Sequence, residues 1–150
     1  MEIINIIKDE TVFLGLETTS REDCLETMIA GMERAGFVSD KKLYLATVQE
    51  RETKGSTGIG FGVAIPHGKS SGIAAPGLAF ARLANPIDWN SLDGKPVQMV
   101  FLIGVPEQMA GDAHIKILVA LSRKLIHEEF RSKLLAVTSP AELYQILQAM

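Results

Sequence analysis

Several features that mark particular classes of protein are scarce in this sequence. Its one cysteine, Cys24, has no internal partner, so an intramolecular disulfide is excluded. Its 15 basic residues are fewer than its 18 acidic ones, and the net charge of −3 leaves no excess of positive charge to neutralise a nucleic acid backbone. The longest stretch without a charged side chain, Gly55–Gly68, has 14 residues with five glycines and a proline, too few to span a bilayer. We therefore expect no nucleic acid partner and no membrane segment.

The start of the chain also lacks the pattern of a secretory signal. MEIINIIKDE has acidic residues where a signal peptide places basic ones before an apolar run. Together with the lone cysteine, this predicts a cytoplasmic protein.

Length and composition predict one globular domain over residues 1–150. Apolar residues make up 47% and charged residues 22% of the 150 residues, as in ordinary globular proteins. A chain of this length buries enough surface for one core.

Periodicity and turn signals predict the architecture. Helical spacing and capping residues predict helices after Ser20, Asp40, Asp112 and Ser139, with a shorter one at about 128–137. Runs rich in β-forming residues predict strands at 11–16, 63–65, 77–83 and 99–105. The turn at 92–96 allows the strands on either side of it, around Ile87 and at 97–105, to pair. We predict an α/β (α+β) single domain with a mixed β-sheet flanked by α-helices.

One glycine-rich stretch ends in a histidine whose neighbours restrict its backbone. In RETKGSTGIGFGVAIPHG, residues 51–68, His67 lies between Pro66 and Gly68, a combination that presents an accessible side chain. The alternative is a plain turn with an exposed histidine. The glycine spacing is not that of a dinucleotide-binding loop, and the chain has neither a P-loop nor a hydrolase G-x-S-x-G motif.

Two further side chains are candidates for binding an anion. His114 lies in the first turn of a predicted helix, where free N–H groups favour an anion and disfavour a cationic ring; the alternative is a histidine at the edge of the core. Arg51, at a predicted helix end, has the planar fork that binds phosphate, or is an ordinary helix-end arginine. The histidines lack the close spacing of metal ligands, so we expect no metal site, and His127 is expected to be solvated.

Three ordered blocks of sequence resemble the fructose/mannitol-type enzyme IIA domain of the bacterial phosphoenolpyruvate-dependent sugar phosphotransferase system. They are REtkgSTGIGfGvAIPHG at 51–68, SLDGKPVQMVFLIGVPE at 91–107 and HIKILVALSRKL at 114–125, and the similarity spans nearly the whole chain. One small departure is Ile115, which follows the second histidine where the family often has leucine. The resemblance implies a mixed sheet flanked by helices.

The resemblance also implies a reaction. His67 matches the family's phosphoryl carrier, His114 the histidine beside it, and Arg51 the family arginine. The donor is then the histidine-containing phosphocarrier protein and the acceptor a cysteine on a sugar-specific IIB domain, with docking through an apolar rim around His67. We expect no cofactor. The backbone N–H groups expected to support the phosphoryl group are those of Ser56, Thr57 and Gly58.

A second reading stays open. The nitrogen-related branch of the same family has the same motifs around the carrier histidine, and phosphorylation there changes which protein partners bind. The blocks at 101–107 and 114–125 favour the sugar-transport branch. The membrane component recognises the sugar, so this sequence does not identify which sugar is transported.

Overall fold

A computed structural model describes residues 2–109 and 111–150. In these residues a six-stranded mixed sheet lies between two layers of helices. The strands are β1 (Val12–Leu16), β2 (Gly58–Gly60), β3 (Val63–Ala64), β4 (His67–Ser70), β5 (Gly77–Ile87) and β6 (Val97–Pro106). The helices are α1 (Arg21–Arg34), α2 (Lys41–Thr53), α3 (Ala113–Leu125), α4 (Glu128–Ala136) and α5 (Pro140–Gln148). The predicted fold class is therefore confirmed.

The sheet is ordered β1-β5-β6-β3-β2, and β4 also pairs with β6. Strands β5 and β6 are antiparallel across the predicted turn, whereas β3 and β4 are both parallel to β6. Because β5 already occupies one side of β6 at Ile103 and Gly104, β4 must lie on the same side as β3. Strands β3 and β4 are thus two segments of one path, interrupted at Ile65 and Pro66.

Alternating side chains of the sheet divide the core into two halves. One face packs against α1 and α2, and the other against α3, α4, α5 and a short 3-10 helix at Ile3–Ile6. Strand β6 is the central element, and its residues from Met99 to Val105 are buried. None of the helices in the described residues is long and apolar enough to cross a membrane.

The helix starts follow the predicted capping residues. The Ser20, Asp40 and Ser139 side chains accept hydrogen bonds from the backbone N–H three residues later. In the last of these caps, the Glu142 carboxylate accepts from the N–H of Thr138 rather than from that of Ser139 as a capping box requires. Local signals therefore located the helices well.

The structure also differs from the sequence predictions. Strand β5 unites the predicted strands at 77–83 and around Ile87 in one element. The predictions lacked β2 and β4 because glycine and histidine are poor strand signals. On α2 the buried face consists of Tyr44, Val48 and Glu52, while Leu43 is 48% exposed.

Candidate functional site

His67 is the first residue of β4 and follows the interruption at Pro66. Its Nδ1 lies 3.0 Å from the backbone carbonyl oxygen of Ile65. A carbonyl only accepts hydrogen bonds, so this contact assigns the ring proton to Nδ1. In the neutral ring Nε2 then carries a free lone pair, and the half-buried side chain keeps that atom within reach of a partner.

The face of β4 that carries His67 is set by its neighbour Gly68. A Cβ atom on Gly68 would lie 2.9 Å from the Thr47 methyl carbon, so this residue faces α2. Successive strand residues alternate between faces, which directs His67 and Lys69 to the opposite face, the side of α3. Lys69 was not among the candidates from the sequence, because its place on the same face as His67 is evident only once β4 is known to be a strand.

His114 is the second residue of α3 and is half-buried. Burial, followed by the positive charges of Lys69 and His67, lowers the pKa of His114 below its ordinary value, and Asp112 opposes this effect. The sequence predicted that a cationic ring is disfavoured here and attributed it to the helix terminus. In the structure, burial and nearby cations lower the pKa of His114. Lys69 and His67 are therefore close enough to His114 for their charges to act on it.

Arg51 lies in the last turn of α2, which runs antiparallel to β4. A Cβ atom on Gly72 would lie 3.1 Å from Leu43 Cβ, and one on Gly68 would meet Thr47. Later residues of the helix therefore lie beside earlier residues of the strand. Arg51 is one turn, about 6 Å, beyond Thr47 and therefore at the His67 end of β4. Its Nη1 donates to the Gly55 carbonyl at 2.8 Å, so the guanidinium lies on the glycine-rich loop rather than on His67.

The loop at 56–58 is tied down by its own hydrogen bonds. The Ser56 hydroxyl donates to the Trp89 carbonyl at 2.6 Å and accepts from the N–H of Gly58 at 3.1 Å. The N–H of Thr57 donates to Glu52 Oε1 at 2.8 Å. Two of the three backbone N–H groups predicted to support an anion are thus already bonded within the chain, and donation by either one to a phosphoryl group requires the loop to rearrange.

Sequence reasoning missed Glu52, a buried acid beside the loop. Its side chain is 1% exposed, and Oε2 accepts hydrogen bonds from Trp89 Nε1 at 3.0 Å and from the Thr57 hydroxyl at 3.1 Å. The available signal was spacing, because Glu52 follows Tyr44 and Val48 at four-residue intervals on the buried face of α2.

Exposed apolar side chains follow His114 on α3. Ile115 and Val119, one turn apart on α3 directly after His114, are 49% and 41% exposed. We call these two residues the α3 apolar patch. The apolar rim predicted around His67 stays a prediction.

His67 lies outside a groove of about 880 Å³ that the N-terminal 3-10 helix, α3 and the end of α5 form. Within residues 2–109 and 111–150, no cluster of three or more His, Cys, Asp or Glu is arranged to hold a metal ion. A partly exposed histidine outside this groove suits contact with another protein better than capture of a small molecule.

Comparison with known proteins relates this site to a family. A sequence model of the family described as "Phosphoenolpyruvate-dependent sugar phosphotransferase system, EIIA 2" matches residues 5–150. The fructose-specific EIIA component of Haloferax volcanii is 38% identical over 146 residues, covering 97% of this chain and 94% of that protein. The fructose-specific EIIABC component of Bacillus subtilis is 35% identical over 147 residues, and there the matched region covers 98% of this chain but only 23% of that protein.

Among solved structures, nitrogen regulatory protein IIA-Ntr from Neisseria meningitidis has the same fold. It superposes with a TM-score of 0.83 at 30% identity, covering 95% of this chain and 97% of that one. The family match across nearly the whole chain agrees with the resemblance of the motifs around His67 and His114. The chain therefore belongs to the EIIA 2 family of the phosphoenolpyruvate-dependent sugar phosphotransferase system.

Proposed function

We propose that this EIIA-type phosphocarrier accepts a phosphoryl group on Nε2 of His67 and passes it to a second protein. The observation that carries the proposal is the contact between His67 Nδ1 and the Ile65 carbonyl, at 3.0 Å. It holds the ring proton on Nδ1 and leaves the Nε2 lone pair free to attack phosphorus.

Every bond, electron pair and proton of the transfer is accounted for without a cofactor. The Nε2 lone pair of His67 forms a new bond to phosphorus while the phosphorus–nitrogen bond of the donor's phosphohistidine breaks, and the donor imidazole leaves with that electron pair. The proton on His67 Nδ1 stays in place and continues to donate to Ile65. In the onward step a thiolate of the acceptor attacks phosphorus, and the His67 ring is the leaving group.

Positive and hydrogen-bonding groups are available to stabilise the phosphoryl oxygens. Burial, followed by the charges of Lys69 and His67, lowers the pKa of His114 and favours its neutral ring, which can donate one ring N–H. Lys69 shares the face of β4 with His67 and adds a cation. Arg51 reaches this end of β4, and its guanidinium has donors beyond the one bonded to Gly55.

The loop residues Ser56, Thr57 and Gly58 complete the proposed site. Because the N–H groups of Thr57 and Gly58 are bonded internally, we assign these two residues a role in shaping the loop.

The proposed partners follow from the family. The donor is the histidine-containing phosphocarrier protein, and the acceptor is a cysteine of a sugar-specific IIB unit. The B. subtilis relative, named an EIIABC component, supports an acceptor of the B type. The α3 apolar patch, beside His114, supplies exposed area for docking such proteins. The cytoplasm, predicted from the sequence, is the proposed location.

A regulatory role is the second candidate, favoured by the likeness to IIA-Ntr from N. meningitidis at 30% identity. In that case the phosphorylation state of His67 controls which proteins bind, and no IIB unit accepts the phosphoryl group. Mixing the phosphorylated chain with a purified IIB unit separates the two functions. Rapid loss of phosphate from the chain to IIB supports transport, whereas retention of phosphate supports regulation.

The carrier assignment is tested with His67→Ala. This variant should fold normally and take up no acid-labile phosphate from phosphoenolpyruvate, the general enzyme and the phosphocarrier protein. The matched control is His127→Ala, which removes an exposed histidine before α4 and should leave phosphate uptake at the wild-type level. Full incorporation into His67→Ala would show that another residue is the carrier.

A further inference from the structure

Glu52 is a buried carboxylate held by three hydrogen bonds. Its Oε1 accepts from the N–H of Thr57, and its Oε2 accepts from the Thr57 hydroxyl and from Trp89 Nε1, at 2.8, 3.1 and 3.0 Å. The nearest guanidinium, Arg21 Nη1, lies 3.8 Å from Oε2, so the charge is stabilised more by neutral donors than by a direct ion pair. Burying an ionised acid in this way is costly, and an uncharged residue would pack here with less penalty.

The hydrogen bonds continue from Glu52 to the imidazole. The carbonyl of Thr57, whose N–H and hydroxyl are held by Glu52, accepts a hydrogen bond from the N–H of Ile65 at 3.0 Å. The carbonyl of Ile65 in turn accepts from His67 Nδ1 at 3.0 Å. Three links therefore join the buried carboxylate to the ring, and we call them the Glu52 relay. The relay fixes the backbone positions of Thr57 and Ile65 relative to the ring, and its first link depends on the Glu52 side chain.

We propose that Glu52 is a positioning residue for His67, fixing the ring orientation and the Nδ1–H tautomer through Thr57 and Ile65. This inference rests on the proposed function, in which the free Nε2 of His67 accepts the phosphoryl group. Each link fixes the position of the next: Glu52 holds the backbone of Thr57, Thr57 holds Ile65, and the Ile65 carbonyl then lies where it accepts from His67 Nδ1. Glu52 contacts neither the ring nor the phosphoryl group, and its effect reaches them through these links.

The competing explanation is structural. Glu52 also holds the indole of Trp89, and under this explanation the acid only anchors α2 to the segment before the 92–96 turn. An anchor of this kind affects the free energy of unfolding but not the tautomer of a histidine on another element. The tautomer of His67 therefore separates the two explanations.

Glu52→Gln is the substitution that best distinguishes the two explanations. Glutamine keeps the volume of the side chain and one carbonyl acceptor, but its NH2 group replaces the oxygen that accepts from Thr57 or from Trp89. A donor then faces a donor, and the relay loses its charge. The matched control is Glu50→Gln, since Glu50 lies on the same helix, and its side chain is 72% exposed and pairs with Lys54 at 3.9 Å.

The experiment measures two quantities on the full chain. Nitrogen-15 NMR of the His67 ring gives the fraction with the proton on Nδ1, and single-turnover kinetics with the phosphorylated phosphocarrier protein give the rate of uptake. In Glu52→Gln we expect a smaller Nδ1–H fraction and uptake slower by about 10- to 100-fold, as for a misplaced reacting group. Glu50→Gln should match the wild type in both. Circular dichroism checks that each variant is folded.

A wild-type tautomer fraction and uptake rate in folded Glu52→Gln would overturn the inference. If this variant does not fold, Glu52→Asp keeps the charge but shortens the side chain, so its carboxylate no longer reaches Thr57 and Trp89 in the same positions. A shift in the same direction in Glu52→Asp supports the relay, and wild-type values overturn it. If the wild-type chain takes up no phosphate on His67, the proposed function fails, whereas the tautomer measurement still tests the relay.

Discussion

Replacing Arg51 by alanine is expected to slow phosphoryl transfer far more than it destabilises the fold. In the structure its guanidinium makes one hydrogen bond, of 2.8 Å, to the carbonyl of Gly55 at an exposed helix end. Losing a bond in that setting changes the free energy of unfolding by about 0.5–1 kcal/mol. Losing a donor that stabilises transferring oxygens costs about 10²- to 10³-fold in rate, or roughly 3–4 kcal/mol of activation free energy.

The rate is measured by rapid quenching of a single turnover between the phosphorylated phosphocarrier protein and each variant, and stability by urea unfolding. Arg34→Ala is the matched control, since Arg34 also lies in the last turn of a helix, α1, and is exposed. It should leave the rate unchanged. Arg51→Lys keeps the charge but loses the planar fork, so it should also be slow. Wild-type rates in Arg51→Lys would refute bidentate binding, and wild-type rates in Arg51→Ala would remove Arg51 from the site.

Two further predictions concern the neighbours of His67. His114→Ala should still take up phosphate but pass it to a IIB unit about 10-fold or more slowly, measured by the chase of labelled phosphate; phosphate mapped to His114 in the wild type would reverse the two roles. Lys69→Met removes a cation that lowers the pKa of His114, so an NMR titration should find that pKa raised, with the ring charged up to a higher pH. Lys133→Met, on α4, is its control, and an unchanged His114 pKa in Lys69→Met would contradict the arrangement.

The helices were predictable because their signals are local. Ser20, Asp40 and Ser139 each satisfy a backbone N–H within the next turn, and such contacts do not depend on the rest of the fold. Gly36, with φ of 87°, lies in the left-handed region after the end of α1, as expected for a glycine at that position. Capping residues thus carry most of the information needed to locate these elements.

Strands β2 and β4 were not predictable in this way. The backbone of β4 is extended because it pairs with β6, from His67 opposite Ile103 to Ser70 opposite Pro106, and those partners are remote in sequence. Its own residues, His-Gly-Lys-Ser, favour a turn. Non-local pairing therefore overrode the local preference, and the shared face of His67 and Lys69 could not be inferred before the pairing was known.

The interruption between β3 and β4 explains how one strand path both packs into the core and presents a reactive ring. Up to Ala64 the chain pairs with β6, and from His67 it pairs again. Between them the N–H of Ile65 donates to the Thr57 carbonyl, and the carbonyl of Ile65 accepts from His67 Nδ1. Pro66 has no N–H to satisfy, and its carbonyl accepts from the N–H of Ile103, which keeps the path attached to the sheet. A continuous strand would direct the Ile65 carbonyl to a neighbouring backbone N–H, so the interruption is what allows the backbone to fix the imidazole.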